Sequence, residues 1–477
     1  MSDGTFVMTA AGAAASADTE TAYNIGYVAA REASALGVNW LFNPCADIYM
    51  NWRNTIVNTR SYGDNADRVI ENVRAFIQGA HQSNVACCCK HFPGDGVEER
   101  DQHLVLGVND LSVEDWNASF RKVYQTMIDE DLESIMVGHI ALPEMSRKLR
   151  PGIKDEDIMP ATLAPELLTD LLRGEMGFNG VVITDASHMG GFTNVMSRRD
   201  AVPRAIMSGC DMFLFLGDPD EDIGYMMEGV KKGIITEERL SDALHRILGL
   251  KAKLNLMKPE NVFKPEEGLA VVGCEEHKAM CVKAADKCTT LVKDTQHLLP
   301  LASGKGKRAR LYYLIGQPDS VSWKGDPYLA MVKEEIERMG YELDVAPSFY
   351  QLDRENPAMA RPMMMSFGSR EEYRNKYDVV FVVVNVKAYA KENNVRLALS
   401  CGHSNEMPWY AAEVPTIGIS LNYTNHLIDL PQLRTYIHAY GPDRACLRAA
   451  LEKAHGNGEF KGTASETVFC GKWDTRI

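Results

Sequence analysis

Two short segments hold side chains whose types and spacing suit nucleophilic and acid/base work. In the first, Cys87-Cys88-Cys89 gives way to Lys90-His91-Phe92-Pro93-Gly94-Asp95-Gly96, and a few residues on Asp101-Gln102-His103 sets a carboxylate two residues before an imidazole. An Asp that accepts from one ring nitrogen fixes the tautomer and raises the basicity of the other, as general acid/base catalysis requires. A surface salt link is the other reading of such a pair. In the second, Val181-Val182-Ile183-Thr184 runs straight into Asp185. A carboxylate abutting a buried strand is costly unless it has partners or chemistry to do, and its alternative is a cap on the next helix. Lys90 and His91 read as donors for hydroxyls or a carboxylate. Asp47, followed by Arg53 and Arg60, and His139 stand in equivalent places after two further apolar runs. A single His after a strand also reads as a structural group with both nitrogens satisfied.

What these places share is the apolar run before each. The predicted strands are Val38–Asn43, Val85–Cys89, Ser134–Val137, Gly180–Thr184 and Met212–Leu216, with helices at Asp67–Gln82, Ser112–Glu130, Ala164–Arg173 and Asp200–Ser208 between them. Apolar residues recur in those helices at three- and four-residue spacing. This is the rhythm of parallel strands with crossover helices, five units where a closed βα barrel has eight. In such a barrel the chemistry sits at the carboxyl ends of the strands, where Asp47, Lys90, His91, His139 and Asp185 fall. The predicted domains are a barrel-like catalytic domain over 1–250, a charged linker over 251–285 and an α/β domain over 286–477. Strands of the last are predicted at Leu311–Ile315, Glu342–Val345, Val379–Val384, Thr416–Leu421 and Arg434–Ala439, with a helix at Pro327–Arg338, and an open doubly wound sheet is the economical arrangement.

Composition narrows the partners. The chain has 477 residues, 45% hydrophobic and 24% charged, with 51 Lys+Arg against 65 Asp+Glu for a formal net charge of −14. That balance disfavours a broad nucleic-acid surface or attraction to an anionic membrane and leaves a small neutral substrate open. No stretch approaches the roughly 20 apolar residues of a membrane helix, and the Ala-rich opening lacks the cationic start and apolar core of an export signal. Eleven cysteines, three of them consecutive, suit a reduced protein better than a disulfide framework, so a cytoplasmic location is expected. No His/Cys pair has metal-ligand spacing. Neither a metal nor a cofactor is expected.

The stretch from Lys90 to His103 resembles the signature of glycoside hydrolase family 3, in its β-N-acetylglucosaminidase branch: Lys-His-Phe-Pro-Gly-His-Gly, four residues, Asp-Ser-His. The spacing agrees residue for residue, with Asp95 in place of the usual His and Gln102 in place of the usual Ser. Asn58-Thr59-Arg60-Ser61-Tyr62-Gly63, Asn43-Pro44-Cys45-Ala46-Asp47 and Ile183-Thr184-Asp185 with Met189 are similar to further family segments, as are Thr290–Lys293 and Tyr436–Gly441 in the second domain. The resemblance implies a (β/α)8-type barrel followed by an α/β sandwich, the barrel lacking its first strands and one acidic sugar ligand. It implies a retaining glycosidase acting on β-linked N-acetylglucosamine. Asp185 would be the nucleophile and His103, oriented by Asp101, the acid/base. Lys90, His91, Arg60, Asp47, His139 and Met189 would bind the sugar, Asp47 bracing either Arg60 or the sugar itself. An imidazole repels an anionic acceptor less than a carboxylate does, so phosphate becomes conceivable in place of water. The alternatives are a β-glucosidase of the same family and a sugar-binding relative without turnover. An open barrel exposes sheet edges, and a homo-oligomer is expected to cover them.

Overall fold

The computed structural model describes residues 4–258, 268–315, 327–346, 369–386, 395–397 and 407–477. The chain divides into two compact units, the first built mainly from Thr19–Lys278 and the second from Ala279–Ala388 and Asn394–Ile477. Among the described residues no helix is long and apolar enough to cross a membrane.

The strands of the first unit are β1 (Trp40–Leu41), β2 (Ala86–Phe92), β3 (Gly107–Val108), β4 (Ser134–Val137), β5 (Ile140–Ala141), β6 (Val181–Ala186) and β7 (Met212–Leu214). Five of them form one parallel sheet in the order β1-β2-β4-β6-β7, and β3 pairs with β5 in a small second sheet. The main sheet is a curled half-barrel with helices between successive strands, the incomplete barrel expected from the five βα units. Its central strands are apolar almost without interruption because helices cover one face and the barrel interior the other. Cys87, Cys88 and Cys89 are all fully buried, and the cysteines of the described residues are free thiols. The helices Glu20–Ser34 and Ala66–His81 meet at glycine, for a Cβ on Gly26 would lie 2.0 Å from the Phe76 carbonyl and one on Gly79 2.1 Å from that of Tyr23.

Several boundaries differ from those read in the sequence. β2 runs on through Lys90 and His91 to Phe92, and β6 runs on through Asp185 to Ala186. The polar residues ended the apolar pattern but not the ladder. The helix expected over Ser112–Glu130 contains a π-helical segment, Asn117–Arg121, and the next one, Glu166–Glu175, is π-helical in full. The stretch over 251–285, expected as a linker or a peripheral helix, includes among the described residues most of a helix at Glu275–Cys288.

The second unit holds β8 (Thr290–Asp294), β9 (Arg308–Leu314), β10 (Glu342–Val345), β11 (Val379–Val384), β12 (Thr416–Ser420) and β13 (Thr435–His438), ordered β10-β9-β11-β12-β13-β8. Neighbours pair parallel except β13 with β8, which is antiparallel. The sheet is therefore mixed, with an edge strand that the apolar pattern does not show. All six residues of β11 are buried, and Val380, Val382 and Val384 join Leu427, Leu433 and Tyr436 in the core.

Candidate active site

The site is built where β1, β2, β4 and β6 end. Pairing between β2 and β4 changes register between Cys89 and Phe92. Such an irregularity re-aims side chains out of the pleat, and here it falls on Lys90 and His91. Behind them lies Asp47, from the loop after β1, with its side chain fully buried. Its Oδ1 accepts the backbone N–H of His91 at 3.0 Å and that of Asp95 at 2.8 Å. Its Oδ2 accepts from His91 Nδ1 at 2.7 Å and from the Cys45 thiol at 3.0 Å. Asp47 thus braces His91, where the expectation was that it would brace either Arg60 or the sugar. Since the carboxylate can only accept, His91 Nδ1 carries the proton and Nε2 faces Asp185 Oδ2, 3.8 Å away. Burial acts to raise the Asp47 carboxyl, and His91 with the other donors outweighs it and holds the group below its usual range.

Asp185 is 9 % exposed, and its Oδ1 accepts the Ala186 N–H at 2.7 Å. Burial works against its ionisation, but His91, the Ala186 N–H and Lys90 outweigh it and keep the carboxyl below the ordinary range. An ionised carboxylate at the mouth of the site is what a nucleophile must be. Lys90 is lowered by burial and then by the like charge of Arg60, which comes from the short turn Asn58–Arg60. Among the described residues no ion pair ties either cation to a carboxylate.

Asp101 is fully buried and accepts from His103 twice, from Nδ1 at 2.6 Å and from the backbone N–H at 2.8 Å, both at Oδ1. The His103 side chain is 23 % exposed. Its Nε2, like that of His91, makes no hydrogen bond among the described residues. The dyad loop is fastened to the segment after Asp185, where Gly190 N–H donates to the His103 carbonyl at 2.8 Å and Gly191 N–H to that of Gln102 at 3.1 Å. Met189, in the turn between Asp185 and these glycines, is buried.

His139 differs from the other two histidines. It is fully buried, its Nε2 donates to the Ala186 carbonyl at 3.1 Å, and its Nδ1 lies 2.8 Å from the Thr162 hydroxyl. A carbonyl can only accept, so Nε2 holds a proton. Burial lowers its pKa to about 4, so the ring is neutral at pH 7 and adds no charge to Asp185. With both nitrogens engaged by the chain it secures the end of β6.

Two groups of side chains bring metal-type ligand atoms together, Cys45-Asp47-His91 and Cys274-Glu276-His277. In the first, burial pushes the Cys45 thiol far up, so it stays a donor, and Asp47 already accepts four hydrogen bonds. In the second, Glu276 pairs with Arg31 at 2.7 Å and His277 Nδ1 with Glu32 at 2.7 Å. Hydrogen bonding accounts for both.

Asn54 gave no signal in the sequence, yet it joins the loops. Its Nδ2 donates to Asp95 Oδ1 at 2.8 Å and to the Glu98 carbonyl at 2.7 Å, and its Oδ1 accepts the N–H groups of Ile56 and Val57. An Asn accepting from N–H groups two and three residues on is a local turn signature. That much was available, but the partners across the loop were not.

A half-barrel with a carboxylate, a carboxylate-backed imidazole and two cations at the carboxyl ends of its strands has the groups that nucleophilic and acid/base chemistry needs. Residues 1–250 match the model of the glycosyl hydrolase family 3 N-terminal domain. The chain is 38% identical over 467 residues to a beta-N-acetylglucosaminidase/beta-glucosidase of Cellulomonas fimi, covering 97% of this chain and 80% of that one. It is 29% identical over 201 residues to a beta-hexosaminidase of Chromobacterium violaceum, covering 42% of this chain and 53% of that one. The chain thus spans about half of that second relative. Among solved structures, a beta-glucoside phosphorylase BglX superposes with a TM-score of 0.91 at 36% identity, over 99% of this chain and 82% of that one. A beta-N-acetylglucosaminidase from Paenibacillus sp. shares the fold with a TM-score of 0.75 at 22% identity, over 96% and 82%. This chain belongs to glycosyl hydrolase family 3.

Proposed function

We propose that the protein is a retaining glycosidase that removes terminal β-linked N-acetylglucosamine through a covalent glycosyl-enzyme intermediate. In the first step an Asp185 oxygen bonds to the anomeric carbon, the glycosidic C–O bond breaks, and His103 in its acid form gives its Nε2 proton to the leaving oxygen. In the second, His103 takes a proton from the acceptor, whose oxygen bonds to the anomeric carbon as the bond to Asp185 breaks. Lys90, His91 and Arg60 hold the sugar hydroxyls, and Asp101 keeps the imidazole oriented. The observation that carries this reading is the pair of backbone hydrogen bonds from Gly190 and Gly191 to the dyad loop. They tie the loop that carries His103 to the segment that follows Asp185, which supports the two acting on one sugar.

Phosphate as the acceptor is supported by two observations. The acid/base is an imidazole, uncharged when the second step begins, and a phosphorylase is among the similar structures. We expect the protein to act in the cytoplasm as a homo-oligomer. Ile223, Met227, Leu244 and Leu248 are each about half exposed on the helices Pro219–Lys231 and Glu237–Lys253, apolar side chains that a second copy of the chain would cover. A monomer by light scattering would refute this.

The test is incubation with nitrophenyl β-N-acetylglucosaminide and nitrophenyl β-glucoside, with and without phosphate, followed by identification of the sugar product. Free N-acetylglucosamine or its 1-phosphate is expected, depending on the acceptor, and faster turnover of the glucoside would select a β-glucosidase. Turnover unaffected by both Asp185→Ala and His103→Ala would overturn the residue roles.

A further inference from the structure

The two positions at which this sequence departs from the family signature are in contact. Gln102 Nε2 donates to Asp95 Oδ2 at 3.1 Å, and Gln102 Oε1 accepts the backbone N–H of His139 at 3.0 Å. Asp95 Oδ1 accepts from Asn54 Nδ2 at 2.8 Å and from the Gly96 N–H at 2.6 Å. The Asp95 N–H donates in turn to Asp47 at 2.8 Å. Asp95 and Gln102 are 8 % and 1 % exposed. A continuous line of hydrogen bonds therefore runs from Asp47, which orients His91, through Asp95 and Gln102 to the end of β4. Gln102 is the residue between Asp101 and His103.

We propose that Asp95 and Gln102 form a matched positioning pair that holds the Asp101–His103 loop against the sugar-binding end of β2, an inference that rests on the acid/base role given to His103. The polarity of the line is fixed at both ends. The His139 N–H can only donate, so the Gln102 oxygen must face it and the Gln102 amide nitrogen must face Asp95. The other two partners of Asp95, Asn54 Nδ2 and the Gly96 N–H, are donors as well. Only a carboxylate accepts from all three. An amide at 95 would turn a donor toward a donor, and flipping Gln102 would move the same conflict to His139. A buried polar group left unmatched in this way costs more than the bond is worth, and the loop relieves the cost by moving.

The consequence is specific to the acid step. Displacing a catalytic group by about 1 Å costs on the order of 100-fold, and loss of acid assistance matters for a poor leaving group but little for one that departs unaided. Asp95→Asn should lower kcat/KM about 100-fold on an alkyl β-N-acetylglucosaminide and less than about 5-fold on the 2,4-dinitrophenyl one. Gln102→Glu alone sets two carboxylates face to face and should show the same pattern. Combining Asp95→Asn with Gln102→Glu reverses the polarity of the line while keeping every bond. The amide introduced at position 95 can then donate to the carboxylate introduced at position 102, whose other oxygen accepts from the His139 N–H. Recovery to within about 10-fold of the parent on the alkyl substrate is expected. Should Asp95→Asn not fold, Gln102→Ala is read on the same two substrates. Equal losses on both substrates, no loss on either, or a double variant no better than the worse single one overturns the proposal. His103→Ala is run beside them. If it shows no leaving-group dependence, the acid/base reading itself fails and this inference with it; if it does and the Asp95 and Gln102 variants do not, only the pair is refuted.

Discussion

Asp47 shows how one side chain acquires its task from its neighbours. Its carboxylate accepts four hydrogen bonds from the chain, so it meets the sugar-binding groups as the support of His91. Asp47→Asn replaces one acceptor oxygen with an amide. If that amide faces His91 Nδ1, donor meets donor and the ring loses the contact that aims it at Asp185. Breaking a buried pair of this kind costs about 3 kcal/mol, so a lower melting temperature is expected. KM for the sugar should rise more than kcat falls, because the acid/base loop keeps its own partner in Asp101. A variant with unchanged stability and KM would refute the bracing role. In the sequence Asp185 stood out because it ends an apolar run, and Asp101 and His103 because a carboxylate two residues before an imidazole has a chemical reading. The letters could not say which of several cations Asp47 would meet, because that depends on how β1 and β2 align.

At the scale of elements the critical contact is backbone against backbone. A Cβ on Gly190 would lie 2.1 Å from the Leu104 carbonyl oxygen, and no side-chain adjustment can relieve a clash with a carbonyl. Gly190→Ala should therefore separate the segment after β6 from the dyad loop and lower kcat on the order of 100-fold. Gly249, in the helix Glu237–Lys253, has nothing within 4 Å of the place its Cβ would take, and Gly249→Ala should instead raise stability by about 0.5–1 kcal/mol with kcat unchanged. Equal kcat values for the two variants would show that the loop contact does not govern the chemistry. The strands of the half-barrel were readable as apolar runs, but their ends were not. Lys90, His91 and Asp185 lie inside strands whose pairing resumes at Phe92 and Ala186, so hydrophobicity stopped two or three residues before the ladder did. β8 escaped for a different reason. Its residues Thr290-Leu291-Val292-Lys293-Asp294 are neither alternating nor uniformly apolar, because an edge strand is covered unevenly.

Across the whole molecule, the two units carry the same liability in acid. His139 at the end of β4 and His438 in β13 are both fully buried, the latter between the rings of Tyr436 and Tyr440. Nothing in the sequence separates these histidines from exposed ones, since burial at a sheet centre is a property of the assembled layers. Burial lowers His139 from 6.5 to about 4 and His438 from 6.5 to about 3. A folded-state pKa below the unfolded one means that the unfolded chain takes up protons first as pH falls. The stabilisation is complete above about pH 6.5 and is lost progressively down to about pH 4 and pH 3 respectively. At pH 5 each histidine should have cost its unit about 2 kcal/mol relative to pH 7. Asp95 works the other way in the first unit. Burial and Asp47 raise it from 3.8 to about 6, so the folded chain gains a proton over the same range and recovers about 1.4 kcal/mol by pH 5. The first unit should therefore lose less stability than the second between pH 7 and pH 5, and amide hydrogen exchange in Ser134–Val137 and Thr435–His438 reads the two separately. His438→Asn removes the titrating group, and the pH dependence of the β13 amides should fall by about 2 kcal/mol while that of the β4 amides stays as it was. If the two strands lose protection in parallel, or if His438→Asn leaves the β13 slope unchanged, buried histidine is not what makes the second unit the more sensitive to acid.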